Sequence, residues 1–176
     1  MLVSCGLLGA CNVLPLPQAE TVRHFTLAGP TVAAAVIDGT RVQPVQVAGH
    51  LRSRTMTVHV AENEVIYLDD VVWAESLADG ITQTLRNRLA AIPTDAVVSV
   101  HVQRCELDRS AGNSVQLVAT YSITSGGKDG PVESRGLFTA TSRIWDGKER
   151  GTLVALLREA VNELADRLVS KLPEKK

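Results

Sequence analysis

Aromatic side chains are scarce. Phe, Tyr and Trp together make up 3% of the 176 residues, namely Phe25, Tyr67, Trp73, Tyr121, Phe138 and Trp145. A chain so poor in rings has no stacking platform for bases or sugars, so its core must be built from Val, Leu, Ile and Ala. Excess charge of one sign is also missing: 18 Lys and Arg stand against 19 Asp and Glu, a formal net charge of −1. Phosphate backbones are bound by clustered positive charge, so a nucleic-acid partner is excluded. No apolar run is long enough to cross a bilayer as a helix, which takes roughly 20 residues.

The residue patterns of common catalytic and metal sites are absent too. The four histidines, His24, His50, His59 and His101, are scattered. There is no His-Glu-x-x-His and no Cys-x-x-Cys, so neither a metal nor a cofactor is expected. His59 and His101 fall on strands that can be neighbours, yet the sequence names too few further ligands for a metal. No serine sits in a Gly-x-Ser-x-Gly elbow. Ser125-Gly126-Gly127-Lys128-Asp129 has the glycines of a phosphate loop but not Gly-Lys followed by Ser or Thr. It joins two strands, which makes it a hairpin turn. Cys105 falls inside a strand pattern as a small packing residue. The chain reads as a non-enzyme.

What is present is a body of alternating and helical patterns, large enough for one domain. Residues 22–27 and 41–47 read as strands, and 55–60 and 65–68 as a hairpin turning at Glu62-Asn63-Glu64. Asp69 and Asp70 are placed to cap a helix running to about residue 91, with Trp73, Leu77, Ile81, Leu85 and Leu89 at four-residue steps. Three strands follow at 97–107, 115–123 and 133–143. Val98, Val100 and Val102 share one face of the first, while Ser99, His101 and Gln103 share the other. A last helix over about 150–172 carries Leu153, Leu157, Ala160, Leu164 and Leu168 in one stripe. Consecutive strands with short turns and two long amphipathic helices predict a two-layer α+β domain: a mainly antiparallel sheet with both helices on one face. Strand edges and the other face are then free for partners, and a homo-oligomer is expected.

The first residues follow another pattern. Cys11 ends an apolar start in Leu8-Gly9-Ala10-Cys11, which resembles the lipobox of bacterial lipoproteins. Pro15 and Pro17 break any regular element after it. Residues 1–10 are therefore expected to be the remnant of a signal peptide, Cys11 the lipidated (acylated) cysteine, and 11–21 a tether. Cys5 leaves with the signal, Cys105 has no partner, and no internal disulfide is expected. Asn12 stands at the sorting position, where an Asp often retains lipoproteins in the inner membrane.

The order of motifs over 22–172 resembles the ABC-type transport auxiliary lipoproteins; a short tail, 173–176, follows. Phe25-Thr26-Leu27 comes soon after the cysteine, Trp73-Ala-Glu-Ser-Leu77 opens the long helix, and Leu137-Phe138 lies on a late strand before the Ala/Leu helix. The resemblance implies a non-enzymatic subunit of a phospholipid transport system, on the periplasmic face of the outer membrane. Its partner would be an MCE-domain protein of an ABC lipid transporter, with phospholipid as cargo and membrane integrity as outcome. Trp73 and Leu77 stand out as core or interface anchors. A structural lipoprotein that scaffolds an unrelated outer-membrane assembly would share the tether and lack the MCE partner.

Overall fold

The computed structural model describes residues 22–29, 40–127 and 130–173. In chain order the strands are β1 (Arg23–Phe25), β2 (Arg41–Val42), β3 (Gln46–Val47), β4 (Thr55–Ala61) and β5 (Glu64–Trp73). After helix α1 (Leu77–Leu89) come β6 (Val97–Asp108), β7 (Ser114–Gly127), β8 (Gly130–Thr139) and β9 (Arg143–Ile144), then α2 (Arg150–Val169). They form one sheet whose main path runs β1-β5-β4-β6-β7-β8. The pairs β4–β5, β6–β7 and β7–β8 are antiparallel. β1 runs parallel to β5, and β2, β3 and β4 run parallel to β6. The sheet is therefore mixed as well as mainly antiparallel.

The strand expected over 41–47 is split in two. Pro44 lies in its middle without an N–H to donate, and β2 and β3 pair separately with the two ends of the Val97–Val102 stretch. Both halves serve the same strand, so the direction of the chain is kept. A short 3-10 turn, Gly49–Arg52, follows.

β6 carries the core. Val98, Val100 and Val102 are buried, and so are Cys105 and Leu107, although the second set has the opposite parity. Between the two sets Gln103 has no partner on β7: Val102 pairs with Ala119 and Arg104 with Val118. This β-bulge advances the pleat by one residue and returns the apolar side chains to the helix-facing side. β5 does the same, with Leu68 opposite Met56 but Val72 opposite Thr55, so Leu68, Val71 and Trp73 are all buried.

The start of α1 differs from the sequence expectation. Asp69 and Asp70 lie within β5, not at a helix N-terminus. The cap is Ser76, whose hydroxyl accepts the Asp79 N–H at 3.0 Å and donates to the Asp79 carboxylate at 2.6 Å. Trp73 ends the strand, paired with Phe25. Its four-residue offset from Leu77 matches the helical stripe by coincidence. Asp70 instead accepts from Arg150 Nε at 3.0 Å and ties β5 to the start of α2.

Leu77, Ile81, Leu85 and Leu89 of α1 are buried, as are Leu153, Leu157, Ala160, Leu164 and Leu168 of α2, in the same cluster as the apolar face of β4–β7. The fold is α+β, two layers, with the helices over one face of an open sheet. Arg158 of α2 donates to the carbonyls of Thr26 and Leu27 and fastens the chain after β1 onto the helix layer.

Because Leu164 is fully buried, Leu164→Ala is expected to cost about 2–5 kcal/mol in denaturant unfolding. Removing the cap with Ser76→Ala is expected to cost about 1 kcal/mol, while Asp69→Ala, which caps nothing, should cost no more than about 0.5 kcal/mol.

Candidate functional site

The sheet face away from the helices is the uncovered one. Over the first half of β6 a groove of about 550 Å³ crosses β3, β6, β7 and β8, lined by Gln46, Ser99, His101, Thr120, Ser122 and Leu137 among others. The in-register pairs Ser99–Ser122, His101–Thr120, Thr120–Leu137 and Ser122–Arg135 make a surface of hydroxyls, one imidazole, one guanidinium and an exposed leucine. Leu137 is 64% exposed. Such a surface offers hydrogen bonds in many directions and no deep, enclosed chamber.

At the other end of the same face lies a polar cluster that sequence reasoning missed. Past the bulge, Arg104, Glu106 and Asp108 point away from the core. The Glu106 side chain is only 1% exposed. Its Oε1 accepts from Arg104 Nε at 2.8 Å and faces His59 Nδ1 at 3.6 Å. Its Oε2 faces His50 Nε2 at 3.4 Å without a formed hydrogen bond. The second nitrogen arm of Arg104 donates to Asp108 at 2.8 Å. The His50 carbonyl in turn accepts from the Thr57 and Tyr67 hydroxyls. The cluster therefore stitches the 3-10 turn, β4, β5 and β6 together on the uncovered face.

Burial opposes ionisation of Asp108, but hydrogen bonds from Ser110, Arg104 and the Ala111 N–H outweigh it, and the carboxyl is held below its ordinary value of 3.8. Burial likewise opposes the charge on Arg104, and the hydrogen bonds to Asp108 and Glu106 more than compensate. A signal for this cluster exists in the alternation Arg104-x-Glu106-x-Asp108, which continues the strand pattern with charges. The imidazoles that meet are His50 and His59. His59 is in register with Asp108, at the last residue of β6, and His101 with Gln46, so His59 and His101 are separated along β6 and do not meet. Among the described residues no three His, Cys, Asp or Glu side chains are gathered so as to hold a metal ion.

Trp73 and Leu77 are both core residues, 2% and 4% exposed. Leu77 also lines a second pocket of about 480 Å³ with Val47, Leu51, Arg52 and Ser76, between the 3-10 turn and the start of α1. Cys11 and Asn12 lie outside the described residues. Cys105 is buried, and burial together with the neighbouring Glu106 pushes its thiol up to about 12. It stays protonated at neutral pH and is a poor nucleophile.

A family model described as the ABC-type transport auxiliary lipoprotein component matches residues 25–169. The chain belongs to this family. The matched span runs from the last residue of β1 to the last residue of α2, so it takes in the whole helix layer and the uncovered face opposite. Two solved structures share the fold. One, described as an uncharacterized protein, superposes with a TM-score of 0.66 at 11% identity, over 88% of this chain and 100% of that one. The other, a protein from Xanthomonas campestris, gives a TM-score of 0.64 at 16% identity, over 84% of this chain and 92% of that one. A comparison with curated proteins found no match.

In this auxiliary lipoprotein the low-lying Asp108 carboxyl sets an acid dependence. Its ionised form is favoured in the fold, so its contribution is complete above the unfolded value of 3.8 and is lost as pH falls through the folded value. Asp108→Asn is therefore expected to lower the urea midpoint at pH 7 and to flatten its decline below about pH 4. An unchanged decline would mean that Asp108 is not held in this way.

Proposed function

We propose that this auxiliary lipoprotein is a non-enzymatic subunit of an MCE/ABC-type phospholipid transport system. It is anchored through Cys11 to the periplasmic face of the outer membrane, where it docks or receives the distal end of an MCE-domain conduit and so supports membrane integrity. The observation that carries this reading is the family match over a domain whose two helices cover one sheet face and leave the other open. The open face is broad, polar and shallow, which suits contact with a protein surface better than turnover of a small substrate.

The anchor follows from chemistry. One acyl chain gives reversible membrane binding, at about 0.8 kcal/mol per buried CH₂, whereas a diacylglyceryl group with an N-acyl chain holds firmly. The tether from Asn12 to Thr21 reaches at most about 33 Å, at roughly 3.3 Å per residue when fully extended. That keeps the domain just beneath the membrane, where a periplasm-spanning conduit ends. Asn12, in place of an Asp, favours delivery to the outer membrane.

The test is fractionation of cells expressing the chain behind a complete signal sequence. Cys11→Ser is expected to release the protein from membranes, and Asn12→Asp to shift it toward the inner membrane. If Cys11→Ser remains membrane-bound, lipidation at Cys11 is wrong. If Asn12→Asp does not move, the sorting role of that position is wrong.

A further inference from the structure

β8 is the last strand on the sheet path, paired to β7 along its whole length from Thr139–Val118 to Gly130–Gly127 with no shift of register. Among the described residues its other edge has no partner. Proteins protect such edges by keeping them short, bulging them, placing Lys or Pro on them, or covering them. β8 has ten residues, no bulge and no Lys, and its one proline, Pro131, sits beside the turn. Val132 and Leu137 on it are 60% and 64% exposed.

The order of side chains along this edge is complementary to itself when read backwards about Ser134. Glu133 and Arg135 are opposite charges equidistant from it. Within one chain Arg135 already grips Glu133 through two bonds of 2.8 and 2.9 Å, so both charges lie on the same face of the strand. Val132 is equidistant with Gly136, and Pro131 with Leu137. Gly136 is small for a reason inside the monomer: a Cβ there would stand 2.5 Å from the Tyr121 ring.

We propose that β8 is a self-association edge, pairing antiparallel with β8 of a second copy of this chain about a two-fold axis at Ser134. Glu133 of each copy then lies opposite Arg135 of the other, Val132 opposite Gly136, and Leu137 opposite Pro131. Opposite charges directly across an antiparallel pair stabilise it and like charges destabilise it. Registers centred on Glu133 or on Arg135 set identical charges side by side, so the charge pattern selects one register. An axis perpendicular to the sheet makes the interface isologous and keeps both helix layers on the same side, clear of the junction. The unsatisfied backbone groups of two edges become a ladder, and the two uncovered faces become one continuous surface. This arrangement does not depend on which transporter the protein serves.

The experiment is sedimentation equilibrium of the full chain in density-matched detergent, for wild type, Glu133→Arg, Arg135→Glu and the double reversal. Glu133 and Arg135 are both exposed, and far-UV circular dichroism checks that each variant is folded. Wild type is expected to dimerise. Each single reversal should weaken the dimer about tenfold or more, and the double reversal should restore it to within about threefold of wild type. A monomer at all concentrations, or an assembly of any size that is indifferent to the single reversals, overturns the proposal.

Discussion

Gln103 is the residue of β6 with nothing opposite it on β7, and the two faces of the sheet are kept distinct by that one extra residue. A regular 12-residue strand that buried Val98, Val100 and Val102 would turn Cys105 and Leu107 outward and drive Glu106 and Asp108 into the aliphatic core. Burying these carboxylates there, with Arg104 carried in beside them and water excluded, costs several kcal/mol per charge, a large part of the margin of stability of a whole domain. The bulge removes the conflict. Because β6 pairs with β2, β3, β4 and β7, its phase sets the phase of its neighbours, and β5 makes a matching shift near Asp69 and Asp70.

From that division the rest follows. One face is an unbroken aliphatic surface, and two helices with Leu and Ala stripes cover it. The other face is left to polar groups, whose charges are paired at one end around Glu106 and whose hydroxyls line an open groove at the other. A domain with a closed aliphatic side and an open polar side has one whole sheet face left for contact with a partner.

Much of the fold is legible in the sequence because one-sided burial writes its period directly. The stripes of α1 from Leu77 and of α2 from Leu153, the hairpin at Glu62-Asn63, and the long β6–β7–β8 meander all follow from alternation and four-residue steps. The start of α1 is misread because Trp73 continues the helical spacing backwards while belonging to a strand. Ser76, followed three residues later by Asp79, carries the cap signature that corrects it. The Glu106 cluster is hidden for a different reason. Glu106 is far in sequence from His50 and His59, and the parallel pairings of β3 and β4 with β6 are what bring them together. Cys11 and Asn12 are legible through resemblance to a lipobox and not through any fold pattern.

The central claim is that the uncovered face of the sheet is the working face of this auxiliary lipoprotein. A photo-crosslinking amino acid at His101 or Thr120, in the groove, tests it most directly when compared with one at Arg167, on the helix layer, in cells that make the whole transporter. The account predicts crosslinks from His101 and Thr120 to an MCE-domain protein and none from Arg167. Crosslinks to that protein from Arg167 alone would contradict it.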